Sequence, residues 1–332
     1  MTDYYPDLCP CPGASLDDLD PAQIDAYREE LDHRRPGSPL LHEGSEALLV
    51  QIGAAVKKEG RPRPTLTGVL FFGRDPQQFY PSFTVTFLHF AGTSIARAEP
   101  DAPLYLDNRE FRGTVPTMVD AARATLYEKL SKQAVMKGFV RQDMLEYPEL
   151  AYRESIINAV AHRDYELEGS FIQVRLFADR LEVQSPGGLG GSLTVDNMVY
   201  EQYTRNPHIM RLLDDFGYVE RRGLGVDQMI RAMTDADREP PIFENRGSSF
   251  WVTLMGVPAS RPLPDLARMG LNDRQIRAVQ YLRAHGRLTN REYQKEFGVS
   301  DRTALYDLKG LVDAGLALPV SSGRGRYYIL RD

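Results

Sequence analysis

The sequence predicts an α/β chain of the α+β kind: an α/β sandwich preceded by a smaller mixed α/β region and followed by a compact helical unit closed by a hairpin. Three observations carry this. Helical periodicity alternates with short β-branched and aromatic runs from about Glu46 to Pro258. Two of those runs, Phe171 to Phe177 and Arg180 to Gln184, are separated only by Ala178-Asp179. That spacing makes a hairpin, which argues against a doubly wound parallel sheet. Beyond residue 259 the pattern changes to three amphipathic helices and two strand-like runs.

Four segments follow: 1–45, 46–140, 141–258 and 259–332. Residues 1–45 are rich in Pro, Asp and Arg and read as an extended arm with little core. One short helix should begin near Asp20-Pro21, because proline suits a first helical turn. In 46–140, Glu46 to Lys58 reads as helix, Leu66 to Phe72 and Phe83 to His89 as strands, and Val115 to Ser131 as an amphipathic helix. The link from Gly73 to Pro81 carries turn chemistry.

Segment 141–258 opens with a helix containing Glu154, Asn158 and His162, which recur every four residues and so share one face. An acid, an amide and an imidazole then point the same way. Asparagine is a mediocre helix former, whereas its carbonyl is a hard oxygen suited to a phosphate-bound Mg²⁺. The hairpin follows, then the turn Pro186-Gly187-Gly188-Leu189-Gly190-Gly191, a helix near Asn206 to Phe216, and Gly223-Leu224-Gly225 leading into a helix from Val226 to Thr234. A strand from Ser249 to Leu254 closes the unit. Glycines admit backbone N–H groups close to an anion, and Gly225 precedes a helix N-terminus that attracts phosphate. Each turn taken alone is also consistent with a plain loop or helix entry. Their order behind a Glu-X-X-X-Asn helix favours a nucleotide site.

In 259–332, Asn272 to Ala284 is helical, with Ile276, Val279, Tyr281 and Leu282 available for a core. A second helix runs from about Leu288 to Phe297, capped by Thr289 or Asn290, and Gly298-Val299-Ser300 is the turn. The third, Asp301 to Ala314, turns Ala304, Leu305, Leu308, Leu311 and Val312 inward. Leu316 to Val320 and Arg326 to Leu330 then make a hairpin, and the whole reads as a winged helix-turn-helix. Arg302, Thr303, Tyr306 and Lys309 would face double-stranded DNA from the recognition helix, and Arg324 and Arg326 from the wing. Use of the same unit for protein contact or dimerisation is the alternative, and Asp301 and Asp307 beside that face favour it.

Charge agrees with a polyanion at the C-terminal end. Residues 261–332 hold 13 Lys and Arg against 8 Asp and Glu, a net of +5, while the remainder is strongly acidic within a chain of net −6. No run of eighteen apolar residues exists, and the start lacks a basic stretch followed by an apolar one, so a cytoplasmic protein without a membrane partner is expected. Cys9 and Cys11 flank a proline and read as reduced loop residues, since two thiols do not complete a zinc site.

Glu154-X-X-X-Asn158, Pro186-Gly187-Gly188 and Arg222-Gly223-Leu224-Gly225 resemble the N box and the two glycine boxes of the Bergerat-fold, or GHKL, ATPases. More narrowly, Ala161-His162-Arg163-Asp164-Tyr165, Ser185-Pro-Gly-Gly-Leu, Arg205-Asn206-Pro207 and Glu220-Arg-Arg-Gly-Leu-Gly resemble bacterial proteins that couple such a domain to a Schlafen-AlbA domain and a winged helix. That match covers roughly Ser15 to Leu254. Such proteins are often labelled helicase-like or transcriptional regulators, yet no Gly-X-X-X-X-Gly-Lys-Ser/Thr phosphate loop exists here.

The resemblance implies ATP and Mg²⁺ as cofactors, Asn158 as Mg²⁺ ligand and Glu154 as the general base. Gly187 and Gly188 would shape the adenine pocket and Gly223 and Gly225 admit the phosphates, with His162, Ser185, Gly190, Gly191, Arg205 and Asn206 completing the site. His162 can equally pack against or cap its helix end. The chain departs from the pattern at Ser185, where relatives carry a longer Asp or Asn that reads the adenine amino group. It departs again at the front, where only about a dozen residues precede the matching segment, so the AlbA-like domain is lost or the chain is truncated. The function this implies is a nucleotide-responsive DNA-binding regulator, possible as a homodimer, in which ATP orders the loop between Gly190 and Arg205. The alternatives are an active ATPase in DNA transactions and a nucleotide-free scaffold.

Overall fold

A computed structural model describes residues 4–95, 103–130, 132–137, 140–219, 225–256, 271–285, 287–322 and 325–330. The chain divides into two compact units, Met1–Val257 and Pro258–Asp332.

The first unit begins with α1 (Pro21–Arg34), where Asp20 caps the first turn by accepting from the Ala22 N–H and Pro21 fills the first helical position. Ile24, Tyr27 and Leu31, at i, i+3 and i+7, are buried in the main core. The segment expected to be an extended arm with little core is therefore corrected: its helix supplies one wall of that core.

Two further expectations are corrected in the next stretch. The helix expected over Glu46 to Lys58 ends early, as α2 (Ser45–Gln51), because Gly53 turns the chain with φ +79. The remainder forms a hairpin of β1 (Ala55–Lys58) and β2 (Arg61–Pro64) around Glu59-Gly60, both with positive φ as a tight two-residue turn requires. Leu66 to Phe72, expected as a strand, is α3 (Leu66–Phe72). Thr65 caps it by accepting from the Gly68 N–H at 3.1 Å. All seven residues are buried, and a run that is apolar on every side carries no period to separate helix from strand. Gly68 lets this helix press against the Ala54 carbonyl, where any side chain would collide.

A short α4 (Pro76–Phe79) leads to β3 (Val85–Phe90), which pairs antiparallel with β4 (Tyr105–Phe111). Then come α5 (Val115–Lys129), the paired β5 (Lys132–Lys137) and β6 (Val140–Leu145), and α6 (Glu149–Ala161). The hairpin of β7 (Ile172–Leu176) and β8 (Arg180–Pro186) forms as the sequence predicts. It is followed by α7 (Pro207–Asp215), α8 (Gly225–Asp235), β9 (Ile242–Asn245) and β10 (Ser249–Met255).

Six of these strands form one sheet in the order β4-β3-β7-β8-β10-β9, antiparallel except for the β3–β7 pair. The mixed α/β class predicted from the hairpin spacing is the one observed. Strands from both sides of residue 140 share this sheet, and a single apolar core runs from Leu19 to Leu254. Helix α5 lies against β3 and β4, α6 against β7, β8 and β10, and α8 against α6.

The second unit contains α9 (Asp273–His285), β11 (Leu288–Thr289), α10 (Asn290–Phe297), α11 (Asp301–Asp313), β12 (Ala317–Ser322) and β13 (Gly325–Leu330). Its sheet order is β11-β13-β12. Thr289 and Glu292 form a reciprocal capping box on α10, Gly298 ends it in the left-handed region, and Ser300 caps α11. The core gathers Val279, Leu282, Leu288, Tyr293, Leu308 and Leu311. Leu305, expected to face inward, is exposed beside Tyr306. Asp307, expected on the outer face, is fully buried, because Arg274, Asn272 and Tyr293 all donate to its carboxylate. Among the described residues no helix is long and apolar enough to cross a membrane.

Candidate functional site

Helix α6 is buried along Ala151, Tyr152, Ile156, Ile157 and Val160, which fixes its rotation against the sheet and turns Glu154, Asn158 and His162 to the opposite side. These three line one cavity of about 590 Å³. The same cavity is lined by Ser185, Gly187, Gly188, Gly190, Arg205 and Gly225. Residues some seventy positions apart in the chain are thus brought to one place.

At one end, Glu154 is buried and its Oε1 lies 3.4 Å from the Arg153 guanidinium. Gly225 begins α8 so close by that a Cβ there would lie 2.9 Å from Glu154 Oε2 and 3.6 Å from Asn158 Nδ2. The positive end of α8 therefore meets an acid and an amide, a setting that suits a phosphate carrying its own cation, since the carboxylate would repel a bare oxyanion. Ser185 is buried and its hydroxyl donates to the Ala159 carbonyl at 2.8 Å. The hydroxyl proton is committed to α6, and the oxygen keeps its accepting capacity.

Gly187, at φ +95, has no room for a side chain, since Arg205 and Asp164 occupy that space. Its N–H donates to Ser248, and the preceding Pro186 carbonyl accepts from the Asp164 N–H at 2.8 Å. Arg205 ties the turn down by donating to the Gly188 carbonyl at 2.8 Å and the His162 carbonyl at 3.2 Å. His162 ends α6 with its N–H on the Asn158 carbonyl, so it caps the helix and lines the cavity at once. Burial, and then the nearby Arg205 charge, push its imidazole down to about 4, so the ring is neutral at pH 7.

Two described residues expected in the site, Asn206 and Gly191, do not line the cavity. Asn206 is buried behind it, donating from Nδ2 to the Ala161 and Arg163 carbonyls at 3.0 and 2.8 Å, so it holds the end of α6 in place. Gly191 is exposed under the Tyr203 ring. Gly223 lies outside the described residues. Among the described residues no group of three or more His, Cys, Asp or Glu side chains gathers as a metal cage.

Sequence reasoning missed the apolar wall and two supports. Phe243 and Phe250 stack with ring centres 6.3 Å apart, and with Val183, Val252 and Met229 they give the cavity an apolar side. Arg163 is buried, with its guanidinium 4.1 Å from the Phe83 ring centre and its N–H groups on the Asp164, Leu167 and Ser170 carbonyls. Asp7 is fully buried and accepts from the His208 and Ile209 N–H groups at 2.7 and 3.2 Å, capping α7 from two hundred residues away. No local pattern marks such a cap, because its donor helix and its acceptor are distant in the chain.

In the second unit, Arg302, Tyr306 and Lys309 are exposed on α11. Thr303 is half-buried, with its hydroxyl 3.0 Å from that of Ser300. Arg326 lies in β13, paired with Ser321 of β12, and Arg324 is outside the described residues.

Comparison with known proteins bears on the first unit. Residues 169–254 match the family model described as "Putative ATP-dependent DNA helicase recG C-terminal". The match begins after α6, so Glu154 and Asn158 precede it. Residues 2–86 match a domain of unknown function (DUF8451). No curated protein matches the chain. The crystal structure of the DIP2311 protein from Corynebacterium diphtheriae is similar with a TM-score of 0.58 at 22% identity, over 100% of this chain and 65% of that one. The likeness is one of fold, and this chain spans 65% of that chain's length. The matched residues 169–254 carry the glycine turn, the start of α8 and the apolar wall, so the likeness to that ATP-dependent family falls on the cavity-lining part of the first unit.

Proposed function

We propose that the cavity binds Mg-ATP, and that the protein is a regulator in which nucleotide state modulates DNA binding by the C-terminal unit. One observation carries the nucleotide reading. Glu154, Asn158 and the N-terminus of α8 stand at one end of a single cavity, with Ser185, Gly187, Gly188 and a wall of apolar side chains elsewhere along it. Its volume of about 590 Å³ lies within the roughly 300–1,000 Å³ of small-molecule sites.

The residues present fit the group. Asn158 offers a hard carbonyl oxygen for Mg²⁺, and the α8 N-terminus offers backbone N–H groups for phosphate. Phe243, Phe250 and Val252 suit a purine face, and Ser185 Oγ can accept from an exocyclic amino group. When bound, Mg²⁺ would neutralise phosphate charge. Glu154, beside Asn158 and Arg153, would be the carboxylate that takes a proton from an attacking water. Arg205, donating to the His162 and Gly188 carbonyls, holds the end of α6 and the glycine turn at a fixed spacing.

The C-terminal unit is read as a winged helix-turn-helix: α10, the Gly298-Val299-Ser300 turn, α11 and the β12–β13 hairpin. Burial of Asp307 supports DNA binding, since it removes a negative charge from the exposed face that carries Arg302, Tyr306 and Lys309. Asp301 is likewise engaged, accepting from Asn290 and Gln294 of α10.

Thermal unfolding with and without Mg-ATP tests the nucleotide reading. Stabilisation should grow as RT ln(1 + [L]/Kd), about 2.7 kcal/mol at a hundredfold excess over Kd. A flat response at millimolar Mg-ATP contradicts it and favours the nucleotide-free scaffold. Single-turnover hydrolysis with Glu154→Ala as control decides whether the bound nucleotide is turned over. DNA affinity and sedimentation, each measured with and without nucleotide, test the coupling and the homodimer; no change in either would remove the regulatory reading.

A further inference from the structure

The loop from Gly188 to Arg205 contains no helix or strand, yet its two limbs are joined by side chains at three successive levels. At the base Arg205 donates to the Gly188 carbonyl at 2.8 Å. Two residues further along each limb, the Tyr203 ring lies over the Gly190-Gly191 pair. Two residues beyond that, the Ser192 hydroxyl reaches Glu201 Oε2 at 3.5 Å. Above these levels Thr194 and Asn197 close a tip turn by exchanging hydrogen bonds, with Asn197 Oδ1 accepting from the Thr194 N–H at 2.6 Å.

The middle level is the tightest. A Cβ on Gly190 would fall within the Tyr203 ring edge, and one on Gly191 would lie 2.8 Å from Tyr203 Cδ2. Both glycines thus leave room for the ring in this position, and Gly191 also holds φ +62. Tyr203 itself lines the cavity, as do Gly190, Leu193 and Met198 of the same loop. One aromatic contact thus joins the glycine turn to the far limb of the loop that walls the site.

We propose that Tyr203 is a positioning residue for the nucleotide site: its ring, seated on Gly190-Gly191, fixes the glycine turn and holds the loop as a cavity wall. The nucleotide half of this claim rests on the Mg-ATP reading above, whereas the seating of the ring does not. The ring face is what matters, so phenylalanine should replace tyrosine without loss.

The test is a double-mutant cycle in the full chain with Tyr203→Ala, Gly190→Ala and the two combined, alongside Tyr203→Phe. In nucleotide-free protein, amide hydrogen exchange over residues 189–204 should quicken about fivefold in either single variant, the scale of one aromatic packing contact. The combined variant should be no faster than the singles, because both remove the same contact. Tyr203→Phe should exchange as the natural chain does. The Mg-ATP dissociation constant should rise by a similar factor in both singles and return to the natural value in Tyr203→Phe. Unchanged exchange in Tyr203→Ala, or additive effects in the cycle, would overturn the seating. Loosened exchange with unchanged Mg-ATP affinity would overturn the positioning role. Absence of Mg-ATP binding in the natural chain would refute the nucleotide reading and with it the positioning role, while the exchange cycle would still decide the seating.

Discussion

A histidine that cannot take a proton at ordinary pH gives the site a measurable acid limit. Burial beside Arg205 lowers His162 to about 4 from its ordinary 6.5. Between those values the unfolded chain binds a proton that the folded chain refuses, so stability falls as pH drops from 6.5 towards 4 and levels off below. The slope contributed is at most about 1.4 kcal/mol per pH unit. Urea unfolding at pH 7 and pH 5 should show a smaller loss in His162→Gln than in the natural chain, and equal losses would contradict the assignment. Asp307 behaves in the opposite sense. Its burial alone would raise the carboxyl, but hydrogen bonds from Arg274, Asn272 and Tyr293 outweigh that and hold it below the ordinary carboxylate range. Its contribution is present above the ordinary value and is lost as pH falls through the lowered one. Asp307→Ala should destabilise the C-terminal unit by about 3 kcal/mol, the scale of a charged group with several buried partners removed, as read from its thermal transition. The site residues on α6 and the glycine turn were legible because spacing along a helix and glycine in a turn are local signals. Asp7, Tyr203 and the bracing role of Asn206, which the sequence had placed in the site itself, were not, because each acts on a backbone segment outside its own element.

Elements with one apolar and one polar face were the readable ones, whereas α3, buried all round, and the short exposed β1–β2 hairpin were not. Helices α5 and α7 and the β7–β8 hairpin match their sequence patterns, each having one apolar face and one polar face. The α3 segment, buried on every side, carries no such contrast, and a cap at Thr65 and close approach at Gly68 decide it instead. The same reasoning marks α7 as dependent on a remote cap. Asp7→Ala should cost about 1–2 kcal/mol, typical of a lost N-cap, in chemical denaturation. No change in the denaturation midpoint would mean that water replaces Asp7 at the start of α7 without loss. Gly68→Ala should prevent compact folding of the first unit, since the Ala54 carbonyl is backbone and cannot move aside.

Across the whole molecule, charge and chemistry are divided between two units. The acidic first unit holds the cavity and the residues that match the helicase C-terminal family model, and residues 261–332 carry the net +5. If α11 meets DNA, Arg302→Ala and Lys309→Ala should each reduce the salt slope of DNA binding by about 0.9, as the loss of one phosphate contact does. An unaltered slope would point to protein contact through the exposed Leu305 and Tyr306. The central claim, however, is the nucleotide site built by α6, the glycine turn and α8. It is tested most directly by calorimetric titration of ATP with Mg²⁺ into the natural chain and Asn158→Ala, each repeated with the metal chelated. The account predicts saturable, Mg²⁺-dependent binding to the natural chain, weakened at least about tenfold by Asn158→Ala, as loss of a metal ligand does. No heat at millimolar ATP, or equal affinity in the two proteins, would contradict it.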